Sequence, residues 1–156
     1  MGSKDKRILG AASQSARKVS VVQYDALELP QAQEAGKAAV VFAQAAEDRE
    51  GRIGALNEIA MFYCYQGDGQ RAQRYARRAL TIPDVSLEQE ATAHLCLGRA
   101  LGLLTEKRNS ATHLDKAREI GADLPPSHTR NSSATWASRS TTKASGRPHT
   151  APSARR

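Results

Sequence analysis

The feature that most restricts the fold is a pattern of small and large apolar residues that occurs twice, with an offset of 38 residues. Within each copy the apolar residues recur at three- and four-residue steps, which is the period of an amphipathic α-helix. Each copy therefore predicts a helix, a short turn and a second helix, with a small residue where the two helices cross. The equivalent pairs are Ala60 and Gly98, Tyr63 and Leu101, Tyr75 and His113, and Ala79 and Ala117.

Five helices are predicted, with ranges 31–48, 53–66, 70–81, 86–104 and 109–120. Gly67 can reach the left-handed backbone conformation of a tight turn at little steric cost, so it separates the second helix from the third. Ser86 has the side chain of an N-cap, and Gln89 three residues later completes a capping box. Asn109 is the N-cap candidate for the last helix.

Composition divides the chain into a folded centre and two basic ends. Residues 1–20 carry five cations and one acid, and residues 125–156 carry six cations and no acid, so the formal charge of +7 leaves −3 for residues 21–124. The first segment mixes Lys, Ser, Ala and Gly without a lasting period, and the last is rich in Ser, Thr, Arg and Pro. Such segments bury too little apolar surface to fold alone, so residues 1–20 are predicted to be a flexible tail and 125–156 a disordered one.

The centre, residues 21–124, resembles the tetratricopeptide repeat. The residues that carry the resemblance in the first copy are Leu56, Ile59, Ala60, Tyr63, Gly67, Ala72, Tyr75, Ala76, Ala79 and Leu80. In the second copy Thr105 replaces the turn glycine and Ser110 replaces an alanine, and Ala111 could take the packing role after a one-residue shift. The offset exceeds the family's usual spacing of about 34 residues and is typical of its longer-linker members.

The resemblance implies an all-α fold of antiparallel hairpins stacked as a short solenoid, with 31–48 as the second helix of a preceding, degenerate unit. Because solenoids usually need about three repeats, dimerisation or a partner is expected to contribute to stability. An ordinary antiparallel helical bundle with Ala and Leu stripes is the alternative fold.

The resemblance also implies that a protein or peptide ligand binds along the first helix of each hairpin, as in an adaptor or scaffold. The residues expected to line that groove are Asn57, Met61, Tyr65, Leu95 and Arg99. Together they offer an amide, a thioether, an aromatic ring, an aliphatic group and a cation, which suits a segment of mixed character.

A second function is suggested by cations. Arg71, Arg74, Arg77 and Arg78 form a strip on the predicted third helix that could meet an acidic partner. With the basic tails, such a strip is also compatible with a nucleic-acid-associated or transcription-regulatory protein, since phosphate contacts need charge but little specific geometry.

Motifs for chemistry are not found in the sequence. There is no phosphate-binding loop, nucleophile elbow or zinc-binding helix motif, so we expect a non-enzymatic protein without cofactor or metal. Cys64 and Cys96 are interpreted as reduced core residues, and His94 and His113 as polar residues on helix surfaces. Neither an export signal nor a membrane-spanning run is recognisable, which predicts a cytoplasmic protein.

Overall fold

The structure, a computed structural model, describes residues 2–124 and contains six α-helices and no β-strand within that range. The predicted all-helical class is therefore confirmed. The helices are α1 (Ser3–Asp25), α2 (Leu29–Ala45), α3 (Arg49–Tyr65), α4 (Gly69–Leu80), α5 (Leu87–Leu103) and α6 (Lys107–Ala122). The predicted disordered tail at 125–156 lies outside the described residues.

The helices form three hairpins, α1–α2, α3–α4 and α5–α6, each joined by three residues. The middle residue of each link has a left-handed backbone, with φ of 64° at Leu27, 77° at Gly67 and 63° at Thr105. In all three, the next N–H donates to a carbonyl five residues back, at 2.9–3.0 Å, as in a Schellman motif. Glycine adopts this conformation easily, whereas Leu27 and Thr105 adopt it with a Cβ present.

The prediction of a flexible tail over residues 1–20 is wrong, because α1 occupies this segment. Ser13 and Ser20 are fully buried, and their hydroxyls donate to the carbonyls of Ala39 and Ala32 at 2.9 and 2.7 Å. The reversed order of these contacts shows that α1 and α2 run antiparallel. The buried side of α1 is built from small residues that allow close approach, so it lacks the stripe of large apolar residues by which a helix is recognised.

Residues 21–24, an apolar run followed by a tyrosine, belong to the last turns of α1. Tyr24 lies flat on Phe62 of α3, with ring centroids 4.2 Å apart. The unit preceding the two recognised copies is thus a complete hairpin, of which the sequence had indicated only the second helix.

The core is centred on α3. Ten of its 17 residues are buried, and it contacts α1, α2, α4 and α5. Its buried side chains include Ile53, Leu56, Ile59 and Phe62. Since α1, α3 and α5 are the first helices of their hairpins and α3 contacts both others, these three lie side by side.

Side-chain caps fix where α3, α4 and α5 begin. Asp48 and Asp68 accept hydrogen bonds from backbone N–H groups in the first turns of α3 and α4, and Ser86 caps α5 as predicted. Glu50 of α3 accepts hydrogen bonds from both the hydroxyl and the backbone N–H of Ser86, so the starts of α3 and α5 are linked directly. The predicted cap Asn109 is not one, because α6 begins two residues before it.

The last hairpin settles the choice between Ser110 and Ala111. Ser110 is buried and its hydroxyl donates to the carbonyl of Gly98 at 2.8 Å, while Ala111 is exposed. The offset of 38 residues therefore holds through α6 without a shift. None of the described helices has the length and apolarity that crossing a bilayer requires.

Candidate peptide-binding groove

The surface formed by α1, α3 and α5, called here the first-helix face, is where the resemblance placed a ligand. Met61 on α3 and Arg99 on α5 occupy equivalent positions, and the Arg99 Nη1 atom lies 3.1 Å from the Met61 sulfur. Tyr65 follows Met61 by one helical turn and is exposed, and Leu95 precedes Arg99 by one turn and is half-buried. Four of the five predicted groove residues therefore share this face.

Leu103 is a member of the first-helix face that sequence reasoning missed. It is exposed and lies one turn beyond Arg99, at the position equivalent to Tyr65. The signal was available, because Leu103 follows Tyr65 by the repeat offset of 38 residues. The face thus extends across α3 and α5 as paired positions, Met61 with Arg99 and Tyr65 with Leu103.

Asn57, the fifth predicted groove residue, is not available to a ligand. Its side chain is 3% exposed, and its amide nitrogen donates to the backbone carbonyl of Gln89 at 3.1 Å and to the Gln89 side-chain oxygen at 3.2 Å. The first turn of α5 covers it, which periodicity within α3 alone cannot reveal. Asn57 instead joins α3 to α5.

An ion pair between α1 and α3 adds charge to the first-helix face. The Arg17 guanidinium donates from Nε and Nη2 to one Glu58 carboxylate oxygen, at 3.1 and 2.6 Å, and both side chains are partly buried. A Cβ at Gly54 would lie 2.8 Å from the guanidinium carbon, so glycine there makes room for Arg17. The pair escaped prediction because α1 itself was not predicted.

Aromatic side chains lie where α1 meets α3. The Tyr24 ring is stacked on Phe62 and lies 6.3 Å from the ring of Tyr65, tilted by 41°. Burial raises the pKa of Tyr24, and the proximity of Tyr65 and Asp25 raises it further. The phenol is therefore neutral at physiological pH and offers a hydroxyl rather than a charge.

Both cysteines lie beneath the first-helix face as free thiols, in agreement with their interpretation as reduced core residues. The Cys64 thiol donates to the carbonyl of Cys96 at 3.7 Å, and the Cys96 thiol donates to the carbonyl of Asn57 at 3.6 Å. Burial raises the pKa of Cys64 to about 11 and that of Cys96 to about 12. Neither is poised as a thiolate nucleophile.

No protein-family model, curated protein or solved structure matches this chain. The resemblance to tetratricopeptide repeats therefore rests on the residues quoted from the sequence.

The arginine strip lies on α4, the second helix of its hairpin, and all four arginines are exposed. Two are held on aromatic rings: Arg71 lies over Tyr63, at 5.6 Å from the ring centroid, and Arg78 over Tyr75, at 5.8 Å. Arg71 also forms an ion pair with Asp68. Arg74 and Arg77 line a shallow depression that also contains Glu106.

His94 and His113, interpreted from the sequence as polar residues on helix surfaces, are partly buried and contact each other. Their Nδ1 atoms lie 2.9 Å apart across the α5–α6 hairpin, with ring centroids 5.1 Å apart. Desolvation lowers the pKa of both, the proximity of His113 lowers that of His94 further, and Arg77 lowers that of His113. One proton can be shared between the two Nδ1 atoms, but a second proton would place two positively charged rings in contact. In residues 2–124 no third His, Cys, Asp or Glu completes a metal-binding group with them.

Proposed function

We propose that the chain is a short tetratricopeptide-like repeat module that binds a protein or peptide segment on its first-helix face and acts as a non-enzymatic adaptor. The observation that carries the proposal is the lateral pairing of equivalent residues, seen in the contact between Met61 and Arg99. A solenoid of stacked hairpins requires this pairing, whereas a simple bundle does not.

The crossing point of each hairpin supports the repeat interpretation. Small residues occupy the equivalent positions in all three units, namely Ser20 and Ala32, Ala60 and Ala72, and Gly98 and Ser110. In the first hairpin the serine of the first helix donates to the second helix, and in the last hairpin the serine of the second helix donates to the first. The same close approach is thus maintained by different residues, as expected of diverged copies of one unit.

The chemistry of the first-helix face indicates the class of ligand. Tyr65 and Leu103 offer exposed apolar surface, Met61 is an adaptable thioether, and Arg99 is an exposed cation between them. An extended or helical segment with two apolar side chains and an acidic one would satisfy these groups, because the acid can pair with Arg99.

A random-peptide phage library selected on the immobilised full chain tests this function. Peptides that are enriched would be synthesised and titrated by calorimetry against the chain and against Tyr65→Ala and Arg99→Ala. Because tyrosine and arginine are the usual hot-spot residues, we expect each variant to weaken binding by about tenfold or more. The matched control is Arg74→Ala on α4, which should change affinity by less than about twofold.

Failure to enrich any peptide, or enrichment of peptides that bind both face variants normally, would overturn the proposal. The nucleic-acid alternative predicts a different result. A labelled 20-base-pair duplex would then bind with a steep salt dependence and would lose affinity in Arg74→Ala but not in Tyr65→Ala.

A further inference from the structure

The side of α1 that faces away from the other helices carries an apolar stripe. Ile8, Val19 and Val22 are 59%, 48% and 67% exposed, and Ala11 and Ser15 between them are exposed as well. At 100° per residue these five lie within an arc of about 80° on one side of the helix. Ser13 and Ser20, which contact α2, lie on the other side. We call these five residues the α1 outer stripe.

Comparison of the three units shows that the second half of the α1 outer stripe, from Ser15 to Val22, corresponds to a covered surface in the other two. The turn residues Leu27 and Gly67 fix an offset of 40 residues between α1 and α3. The positions equivalent to Ser15, Val19 and Val22 are Ala55, Ile59 and Phe62 in α3, and Ala93, Leu97 and Ala100 in α5. All six of these residues are at most 3% exposed. In α3 and α5 this face packs on the preceding hairpin. In α1 the same face is uncovered.

The opposite end of the described region is polar. Tyr75 and Leu80 of α4 pack against the core at the positions where α6 has His113 and Arg118, and Arg118 is exposed and paired with Asp115. A polar outer face is characteristic of the closing repeat of a solenoid. The apolar α1 end of one molecule can therefore bury its surface against the α1 end of a second molecule, but not against the polar α6 end.

We propose that the α1 outer stripe is the interface between two copies of this chain, paired antiparallel about a twofold axis at Ser15. The stripe is symmetrical about that residue, since its members follow one another at steps of 3, 4, 4 and 3. Ile8 of one copy then faces Val22 of the other, and Ala11 faces Val19. The small residues Ala11 and Ser15 let the two helices approach closely at the centre. The interface is isologous and closes after two copies.

Charge complementarity favours the antiparallel orientation. Arg7 and Asp25 are exposed on the same flank of the stripe, near opposite ends of α1. In the antiparallel pair, Arg7 of each copy lies level with Gln23 of the other, about 3 Å along the helix axis from Asp25 and within reach of its carboxylate. This contact also places a cation beside an acid at a helix C-terminus, where an acid is otherwise unfavourable with the helix dipole. In a parallel pair the same flank of each helix lies on opposite sides of the interface, so neither contact forms.

Sedimentation of the full chain over about 5–500 µM tests the pairing. We expect the mass to rise from 16.8 kDa to twice that value with a midpoint in the micromolar range, because a single helix pair is small for a specific interface. Val19→Lys should abolish the association without changing the helical circular dichroism. The matched control is Val41→Lys, which changes an exposed valine of α2 outside the stripe and should leave the association intact.

Two further variants test the orientation. Arg7→Glu and Asp25→Arg should each weaken the dimer by about threefold or more, and the double variant should restore it. Ser15→Cys should form a disulfide-linked dimer on mild oxidation, whereas Gln14→Cys, outside the stripe, should not. A chain that stays monomeric at 500 µM, or a dimer insensitive to Val19→Lys, would overturn the proposal. Because these measurements require no peptide, their failure is separable from failure of the groove.

Discussion

Replacing Phe62 tests how firmly α1 is attached to the rest of the molecule. Phe62 is 1% exposed, and one face of its ring is covered by Tyr24 with an interplanar angle of 7°. Truncation of a buried phenylalanine to alanine costs about 3–5 kcal/mol of unfolding free energy. Of this, an aromatic pair contributes about 0.5–1.5 kcal/mol as coupling between the two rings. A cost of this size is a large fraction of the stability of an ordinary domain, so the smaller change Phe62→Leu, which keeps an apolar side chain at the site, is the variant to use.

Urea unfolding followed by circular dichroism provides the measurement, arranged as a double-mutant cycle of Phe62→Leu and Tyr24→Leu. We expect a coupling free energy of about 0.5–1.5 kcal/mol, because either change removes the stacked pair. Val41→Ala, an exposed position on α2, should change the unfolding free energy by less than about 0.5 kcal/mol. Strict additivity of the two leucine changes would refute the reasoning, since it would mean that the end of α1 does not pack on α3.

Three other predictions follow from contacts of the described region. Asn57→Ala should lower the unfolding free energy by about 1–3 kcal/mol in urea titration, because it removes the two buried hydrogen bonds that join α3 to Gln89 of α5. A cost near zero would contradict this role. The pKa values of His94 and His113 are lowered by folding, so below about pH 6.5 the unfolded chain binds more protons and stability falls as the pH drops from 7 to 5. The urea midpoint should fall with pH in the same way, and it should depend less on pH in the double variant His94→Gln, His113→Gln. Burial raises the thiol pKa of Cys64 to about 11 and that of Cys96 to about 12. Both thiols should therefore react with an aromatic disulfide reagent at pH 8 about 100-fold or more slowly than free cysteine, and rapidly after unfolding in guanidinium. Fast labelling of the native chain would show that the core is open.

Sequence analysis located the helices whose buried side consists of large apolar residues. In α3, Leu56, Ile59 and Tyr63 recur at helical spacing and are all buried, so pattern and packing agree. In α1 the apolar pattern and the packing disagree, since Val19 and Val22 are exposed and the fully buried side chains are serines. A serine hydroxyl can be buried there because the facing carbonyl of α2 accepts its hydrogen bond, and such a partner is not visible within α1 itself.

The candidate site was predictable to the extent that it depends on periodicity within one helix. Met61, Tyr65, Leu95 and Arg99 were placed on a common face because the repeat offset aligns α3 with α5. Contacts that depend on how separate helices approach had no local signal. Arg17 and Glu58 are 41 residues apart, and His94 and His113 are 19 apart. Their pairing is decided by the crossing of the helices that carry them.

The order in which the helices touch has a consequence for how the molecule folds. Within residues 2–124 each helix contacts only helices one or two places away along the chain, so α1 and α6 depend on one another only through α3 and α5. Contacts of short sequence separation favour rapid folding, and they allow the ends to open while the centre stays closed. Amide hydrogen exchange should therefore be slowest in α3 and faster toward both ends. A ligand or a second copy bound at one end would slow amide hydrogen exchange at that end first. Binding would therefore be detected through local opening rather than through global unfolding.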